Sequence, residues 1–566
     1  MNVRFAGDGG MPVEPAESVR VAVTHEVTNQ TPPLQNYNVF TSDRALEAVI
    51  RYGDARWAHG ALAQLGIRAG SADAIELGFE ANRNPPRLVT HDRLGNRIDE
   101  VHYAPAYHSL VEVAKANGLH ASAWREATPG AHVARAAGFY VWSQVDAGHG
   151  CPISMTHSAW PTLRLQPELY AQWAPALASA DYAPHLRPVR EKGNALFGMA
   201  LTEKQGGSDV RANSARAVPA GLGGPAAEYL LTGHKWFCSA PMSDAFLVLA
   251  KAAGGLSCFL LPRILPDGAR NRFFLQRLKD KLGNRSNASS EVEFEGASAW
   301  LVGEEGRGLR AILEMVNFTR LDCALGSAAG MRQAVVQAIH HAHHRSAFGK
   351  LLKDQPLMQN VLADLALEAE AALLTSLRLA RACDLAATSD HEARLKRIGT
   401  ALAKYWICKR TAPHAAEALE CLGGNGYVEE SILPRLYREA PLNSVWEGAG
   451  NVNALDLLRA LAREPGTLEA YFAEIEEAAC ADSRFGEALE HIRRELATSR
   501  TDETCARRIV ERMAVALQAS VLMRSSVTPV SEAFLESRVA GNWGHAYGTL
   551  PAGLPLAEIV ERAHTA

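Results

Sequence analysis

The spacing of apolar and polar residues divides the chain into helical and β-type regions. From Ser42 to about residue 191, apolar residues recur at helical spacing, and turn clusters such as "NRNPPRLVTHDRLGNR" interrupt them. Between residues 198 and 305 the pattern changes to short runs of aliphatic and aromatic residues separated by Gly, Pro, Asp and Asn. These runs predict the strands "EYLLTG", "FLVLAK", "LSCFLLP", "RFFLQRL" and "SSEVEFEG".

Long helices are predicted after this β-domain. The stretch from Leu309 to Phe348 contains no proline, and further helical segments cover 355–387, 391–420, 451–463 and 467–566. We therefore expect a mostly α protein with a small β-domain of barrel or sandwich type. The predicted domains are an irregular arm and helical domain (1–194), a β-domain (195–305), a helical domain (306–465) and a C-terminal helical extension (466–566).

Composition indicates an ordinary soluble protein. The 566 residues are 47% hydrophobic and 21% charged, with a formal charge of −4, which gives no global reason to expect nucleic acid as a partner. The first twenty residues lack an apolar core, and Lys251 interrupts the most apolar region, so neither a secretory signal nor a membrane span is expected. Nine cysteines without a C-x-x-C pair disfavour structural zinc and disulfides and favour the cytoplasm.

Two conspicuous patterns have ordinary explanations. The run "HHAHH", His340–His344, lies in a predicted helix with no carboxylate or cysteine at a spacing that completes a metal site, so a structural or solvent-facing cluster is expected. The stretch "GEEGRG" at 303–308 is not a phosphate-binding motif and is expected to be the turn that leaves the β-domain. No G-x-S-x-G or H-E-x-x-H sequence occurs, which leaves hydrolase and metalloprotease functions unsupported.

Three other stretches carry candidate chemistry. The loop "MALTEKQGGSDV" brings hydroxyls and a glycine pair that suit an extended polar ligand, and "GHKWFCSAP" brings aromatic rings and a hydroxyl that suit a flat heteroaromatic ring. Each alone is more often a turn or core packing. The third, "NSVWEGAGN", places Glu447 between a tryptophan and a glycine, as a solvated charge, a helix anchor or an acid/base catalyst.

In this order the three stretches resemble the acyl-CoA dehydrogenase flavoproteins. That family carries T-E-x-x-x-G-S-D, G-x-K-x-W-[IV]-[ST] and [YW]-E-G, which read here "TEKQGGSD", "GHKWFCS" and "WEG". Two more signatures match, "RSAFGKLLKDQ" and "ECLGGNGY", and the resemblance covers about residues 195–460. It implies an FAD-dependent oxidoreductase acting on CH–CH groups, with an acyl-CoA as substrate.

The resemblance also implies roles for single residues. Glu447 falls on the catalytic base, which takes the α-proton of an acyl thioester, and Thr319 occupies the position where other members place that base. The substrate positions are Thr202, Ser208, Ser239 and Arg320. The FAD positions are Met199, Thr202, Gly207, Ser208, Phe237, Cys238, Ser239, Arg345, Gln355, Gly423, Gly424, Trp446, Gly448 and Asn451.

Four of these FAD positions imply an oligomer. In the family, the residues at Arg345, Gln355, Gly423 and Gly424 reach the dinucleotide part of a neighbouring subunit's FAD. An arginine fork suits a pyrophosphate, and glycines let backbone amides approach it. A homo-oligomer, most often a tetramer, is therefore expected.

The chain departs from the family pattern in two ways. The family continues E-G-T-x-x-I-x-R, whereas Ala449 and Ala454 here replace the hydroxyl residue and the arginine. The chain also continues for about a hundred residues beyond the helical domain. These features, with "LKDKLGNRSNAS" and "RLYREAPLNSVWEGAGN", resemble a bacterial branch associated with the response to DNA alkylation, with weak dehydrogenase activity and DNA binding through its C-terminal domain.

The extension itself does not decide between these functions. It holds ten Arg, no Lys and fifteen Asp or Glu, a net charge of about −5 that is unlike a DNA-binding domain. Its arginines are nevertheless clustered, and candidates for phosphate contacts are Arg493, Arg494, Arg507, Arg508 and Arg512. Ion pairs with neighbouring glutamates explain the cluster equally well. A working short- or branched-chain acyl-CoA dehydrogenase and a DNA-binding flavoprotein of the alkylation response both remain open.

Overall fold

The computed structural model describes residues 24–125, 128–525 and 528–565; the first 23 residues of the predicted arm lie outside this set. Helices form the N-terminal region because its apolar residues repeat on one helical face. They are α1 (Arg44–Tyr52), α2 (His59–Ala69), α3 (Ala72–Arg83), α4 (Pro105–Ala116), α5 (Ser122–Arg125), α6 (Ala131–Ser143), α7 (Gly150–Leu163), α8 (Pro167–Ala178) and α9 (Val189–Lys192).

A β-hairpin lies where the sequence indicated only a turn cluster. Strands β1 (Arg87–His91) and β2 (Arg97–His102) pair antiparallel between α3 and α4. The Asp92 carboxylate accepts hydrogen bonds from the backbone amides of Leu94 and Asn96, which closes the connection. The break in the helical pattern was predicted correctly, and the turn residues concealed the strands on either side of it.

The middle region is a closed β-barrel. Its strands are β3 (Phe197–Ala200), β4 (Arg216–Pro219), β5 (Glu228–Ser239), β6 (Ala245–Ala252), β7 (Gly255–Pro262), β8 (Phe273–Leu278) and β9 (Ser289–Val302). Pairings β6–β7, β7–β9, β9–β5, β5–β4 and β4–β6 close the ring, while β3 joins β6 and β8 joins β9. All five predicted strands are present; β3 and β4, of four residues each, are too short to show periodicity.

Long helices follow the barrel, as predicted. Residues 303–308 form the predicted turn, and then come α10 (Gly308–His344), the short strands β10 (Ser346–Ala347) and β11 (Lys350–Leu351), α11 (Pro356–Leu385), α12 (Asp390–Cys421), α13 (Leu433–Glu439), α14 (Leu442–Val445) and α15 (Gly450–Arg463). Most residues of α10 are buried, because it packs against α7, α11 and α12 at once. None of the described helices is long and apolar enough to cross a membrane.

The C-terminal extension packs tightly on this helical domain. It contains α16 (Thr467–Ala481), α17 (Ser483–Ser499), α18 (Ala506–Arg524), α19 (Thr528–Phe534) and α20 (Leu556–Ala563), and its apolar residues share one core cluster with α10–α12. Buried ion pairs add to this contact: the Arg538 guanidinium binds the carboxylates of Asp364 and Glu368 on α11. The extension is therefore part of the helical body.

The histidine run has a packing role. His343 stacks on His564 of the C-terminal segment, with ring centroids 3.9 Å apart and planes within 1° of parallel. The fold also brings the Glu561 carboxylate to 3.9 Å from the His343 Nε2 atom, a partner that the sequence spacing did not indicate. An ion bound by both imidazoles must lie near both ring planes, which parallel stacked rings do not permit. The arrangement is that of a structural cluster.

Candidate active site

Glu447 lies in the loop between α14 and α15, in a backbone conformation that is strained for a residue with a side chain. Its φ is 54°, and Gly448 follows at 94°. Both angles fall in the left-handed region, which glycine adopts freely and glutamate does not. Strain of this kind persists only where neighbouring contacts fix the backbone, and here it aims the Glu447 side chain toward α10.

The Glu447 carboxylate meets Thr319 on α10. The Thr319 hydroxyl donates to the Glu447 Oε2 atom across 2.6 Å, and Arg320 donates from Nε to the Glu447 carbonyl oxygen across 3.0 Å. Desolvation raises the pKa of Glu447, while the Thr319 hydrogen bond and the positive charges of Lys404 and Arg320 oppose that rise. The two positions at which the family places its base are therefore in direct contact.

Lys404 holds the backbone of the loop that carries Glu447, residues 446–449, which we call the base loop. It projects from α12, is 1% exposed, and donates from Nζ to the carbonyl oxygens of Asn443 at 2.5 Å and Gly448 at 3.1 Å. Asn453 adds a hydrogen bond from its side-chain amide to the Gly448 carbonyl. A single lysine within a helix gives no motif, so sequence analysis did not find this contact.

A buried ion pair joins the two β-domain motifs. Glu203 of "TEKQGGSD" and Lys235 of "GHKWFCS" are fully buried, with 2.9 Å between Lys235 Nζ and Glu203 Oε1. Burial alone would raise the pKa of Glu203, but Lys235 and the Ser214 amide lower it to about 2. The Trp236 amide also donates to the Thr202 carbonyl across 2.8 Å. The ion pair explains why the first motif carries Glu203 and the second Lys235, next to the residues that are predicted to face the ligand.

Strand β5 presents an aromatic ring and a hydroxyl on one face. Phe237 is 51% exposed, and Ser239 follows on the same side because strand residues alternate. Cys238, between them, is fully buried in the barrel core, so any contact it makes with a cofactor is limited to its backbone. An exposed ring with a hydroxyl two residues along the same face fits a flat heteroaromatic group such as the isoalloxazine of FAD, although the Lys279 ammonium lies 4.8 Å from the Phe237 ring centroid.

Cys151 on α7 connects the two halves of the site. Its thiol lies within hydrogen-bonding reach of the Ser239 side chain and close enough to Glu447 for their charges to interact, and burial raises the pKa of Cys151 to about 12. Trp446 of the base loop and Met199 of β3 pack on the apolar cluster that contains Cys151, which interacts with both Glu447 and Ser239.

The remaining predicted FAD residues do not join this site within one chain. The Arg345 guanidinium donates to the Asn29 carbonyl at 2.6 Å, and the Gln355 amide donates to the Ala347 carbonyl at 3.0 Å. Ser208, Gly423, Gly424 and Asn451 are exposed. Their roles toward FAD stay predictions.

Four other predicted residues are engaged by neighbouring groups, and their roles toward substrate or DNA stay predictions. Arg320, predicted to contact substrate, is 7% exposed, and its guanidinium is engaged by the Glu447 carbonyl and by Asp456 at 2.8 Å, so it also holds the base loop. Three candidate DNA residues are engaged in ion pairs. Arg493 binds Glu476, while Arg508 and Arg512 share Glu495 at 2.5 and 2.6 Å. Arg494 and Arg507 form no ion pair among the described residues.

Comparison with known proteins agrees with this geometry. Residues 29–184 match the adaptive response protein AidB N-terminal domain, 198–297 the acyl-CoA dehydrogenase middle domain, and 306–462 the acyl-CoA dehydrogenase C-terminal domain. AidB of Escherichia coli (strain K12) is 48% identical over 91% of this chain and 94% of its own length. The chain belongs to the acyl-CoA dehydrogenase family. Within that family it is AidB-like, and the predicted fold class is confirmed.

Two solved acyl-CoA dehydrogenase structures share the fold. ACDH-11 of Caenorhabditis elegans, in complex with C11-CoA, superposes with a TM-score of 0.82 at 25% identity, covering 96% of this chain and 93% of its own. An acyl-CoA dehydrogenase from Bacillus anthracis complexed with FAD gives 0.60 at 19% identity, covering 77% and 80%. FAD is accordingly the cofactor that membership of the acyl-CoA dehydrogenase family implies.

Proposed function

We propose that this chain is an FAD-dependent oxidoreductase of the acyl-CoA dehydrogenase type, in which Glu447 removes the α-proton of an acyl-CoA thioester. The observation that carries the proposal is the Glu447 carboxylate itself, held in a strained loop beside Thr319 and close to the buried Cys151, which also interacts with Ser239. Strained residues with shifted pKa values concentrate at sites of catalysis.

The chain's residues divide the work of this reaction. Glu447 must be ionised to accept the proton, and Thr319 stabilises that ionised form through its hydrogen bond. Phe237 and Ser239 orient the ring of FAD, which when bound accepts the hydride from the β-carbon. Desolvation around Glu447 brings its pKa closer to that of the proton it removes, because a base is most effective when those values approach each other.

The test uses purified, FAD-loaded protein under anaerobic conditions. Addition of a short branched acyl-CoA or of C11-CoA should bleach the flavin absorbance, and Glu447→Gln should abolish bleaching while FAD remains bound. Glu429→Gln is a matched control, since that carboxylate is exposed and binds Arg438. A loaded protein that no acyl-CoA bleaches would overturn the proposal.

We further propose that the chain assembles into a homo-oligomer, with a tetramer as the expected form. Three exposed apolar side chains lie close in sequence to the residues predicted to reach a neighbouring FAD: Phe348 is 98% exposed, Leu357 83% and Tyr427 80%. Apolar surface of this kind is typical of protein interfaces. Light scattering should report four chains, and Phe348→Glu should lower that number; a monomer that retains FAD stoichiometrically would refute the assembly.

The second function we propose is a role in the response to DNA alkylation, with binding of duplex DNA. It rests on the similarity to AidB and the adaptive-response N-terminal domain. Exposed Arg507 supports it, because its guanidinium lies beside Gly450 with the Lys409 ammonium, so positive charges gather next to the base loop. Arg494 on α17 is exposed as well.

A mobility shift on duplex DNA tests this role. Binding should weaken steeply with salt, and charge reversal by Arg494→Glu with Arg507→Glu should abolish it. The matched control is Arg493→Gln, which removes an arginine already bound by Glu476. Point variants are preferable to truncation at Thr467, because the extension shares its core with the helical domain. Unchanged binding by the double variant would exclude this surface.

A further inference from the structure

A lysine lies behind the hydroxyl pair of Ser239 and Ser289 in the candidate site. Lys281, in the segment between β8 and β9, is partly buried, and its ammonium donates to the Asn287 carbonyl at 2.7 Å, the Ser289 hydroxyl at 3.1 Å and the Asn284 side-chain oxygen at 3.4 Å. These contacts match the three protons of an ammonium group. Burial lowers the pKa of Lys281 to about 8, so the ammonium form still predominates at pH 7.

The ammonium biases the direction of the hydrogen bonds that follow: its charge polarises the Ser289 hydroxyl as a donor, although a second lone pair on the Ser289 oxygen could still accept. The ammonium can only donate, so the Ser289 oxygen accepts and the single Ser289 proton is free to point elsewhere. The Ser239 oxygen lies 3.2 Å from the Ser289 oxygen and is the partner within reach. If Ser289 donates to Ser239, the single Ser239 proton must point onward, which is toward the cleft that Phe237 borders.

We propose that Lys281 and Ser289 are positioning residues that orient the Ser239 hydroxyl as a donor to the ring-edge acceptor atom of the bound cofactor. The inference rests on the proposed function and adds the source of the hydroxyl's direction. The chain Lys281–Ser289–Ser239 supplies a donor at the point where the ring gains electron density. An isolated serine would point its proton toward any nearby acceptor.

One competing partner lies close by. The Cys151 thiol is within reach of Ser239, but burial raises its pKa to about 12, so it stays a neutral thiol. Neutral sulfur is a weak acceptor compared with a ring nitrogen or a hydroxyl oxygen. The acceptor that can draw the Ser239 proton away from the cleft is therefore the Ser289 oxygen, and the positive charge of Lys281 makes this oxygen a poorer acceptor and a better donor.

The decisive measurement is the ¹⁵N resonance of the reactive ring nitrogen in protein loaded with isotope-labelled FAD at pH 7. Ser239→Ala gives the shift for a lost hydrogen bond. Lys281→Met should move the resonance toward that value, because without the ammonium charge the Ser289 oxygen becomes a better acceptor and competes for the Ser239 proton. Adding Ser289→Ala to Lys281→Met removes that acceptor and should restore the wild-type position, which a purely structural role for Lys281 does not predict.

The outcomes distinguish the orienting role of Lys281 and Ser289, which we call the relay, from the assignment of Ser239 to the cofactor site. If Ser239→Ala moves the resonance and Lys281→Met does not, the relay is wrong and the site assignment stands. If Ser239→Ala has no effect, or the protein retains no FAD, both are wrong.

A titration serves if Lys281→Met does not fold. Above about pH 8 the neutral Lys281 amine gains a lone pair, so the wild-type resonance should move, and Ser289→Ala should not show that step. Two other titratable groups, Cys151 on α7 and Glu439 on α13, face the ammonium. Burial raises the pKa of Cys151 to about 12, far from this range, but it raises that of Glu439 to about 7, so the titration is repeated in Glu439→Gln to remove the Glu439 contribution. A wild-type resonance without a step near pH 8 would also overturn the relay.

Discussion

Replacing Thr319 by valine tests how the site sets the basicity of Glu447. The substitution keeps the side-chain volume and removes the hydrogen bond of 2.6 Å from the hydroxyl to the carboxylate. A hydrogen bond to a charged group contributes about 1.5–3 kcal/mol. The lower figure applies, because the Thr319 proton can also reach the Val316 carbonyl at 3.0 Å. At 1.36 kcal/mol per unit, the pKa of Glu447 should rise by about one unit.

The direction of the expected change in rate follows from the role of Glu447, which must be ionised to accept a proton. Desolvation already raises the pKa of Glu447, and losing a donor to the ionised form raises it further. The rate of anaerobic flavin bleaching should therefore fall at acidic pH, with the acidic limb of its pH profile displaced upward by about one unit. At alkaline pH the rate should recover. Thr319→Ser keeps the hydroxyl and should behave like the wild type. An acidic limb that Thr319→Val leaves in place would refute the proposed effect of the hydrogen bond.

Three further predictions concern stability and loop geometry. Glu203→Gln leaves the buried Lys235 ammonium without a charged partner, so the free energy of unfolding in urea should fall by about 3–5 kcal/mol; an unchanged midpoint would contradict this. Since the folded pKa of Glu203 is about 2, below its ordinary value, the stability that it confers should hold at neutral pH and disappear as pH falls toward 2. Arg538→Met leaves the buried Asp364 on α11 without a charged partner, while Glu368 keeps Arg410, and it should speed amide exchange in α19; protection equal to wild type would argue against the anchor. Gly448→Ala, at a φ of 94°, should cost about 1–3 kcal/mol in the base loop and slow bleaching without releasing FAD; wild-type rates would show that the loop tolerates it.

The sequence predicted best those elements whose signal is long or repeated. Five strands and the main helices followed from periodicity, because α10 and β5–β9 are long enough to display it. Periodicity did not predict the hairpin β1–β2, because turn-forming residues surround its short strands. It did not predict β3 and β4 either, because four residues are too few to show a clear alternation. Barrel closure depends on pairings between distant strands, which a local pattern cannot specify.

The residues of the candidate site also fall into two groups, those that the sequence predicts and those that only the fold reveals. Glu447, Phe237 and Ser239 lie in motifs and could be named from the sequence. Lys404 could not, because it binds backbone carbonyls that the fold brings to it from a distant segment. Lys281 stands in the quoted stretch "LKDKLGNRSNAS", but its contacts with that same segment depend on a loop conformation that the residues do not specify. A lysine that binds carbonyl oxygens leaves no charge pattern in the sequence. The ion pair of Arg320 could not be predicted either, for the related reason that its partner, Asp456, is distant in the chain.

The two departures at Ala449 and Ala454 also become intelligible through these contacts. Ala449 is the residue before α15 and gives no side-chain cap, which forgoes about 1 kcal/mol that a hydroxyl supplies there. Ala454 is 1% exposed, so this position of α15 packs into the apolar core and carries no charge.

The helix is anchored instead at Asp456, which binds Arg320 of α10 and Arg397 of α12 across 2.8 and 2.9 Å. In this chain the charged contact of α15 is therefore made by a carboxylate, with the arginines on its neighbours. Because Arg320 also donates to the Glu447 carbonyl, the replacement anchor and the base loop share one guanidinium. The loss of the arginine at 454 is thus compatible with a base loop that is still fixed in place.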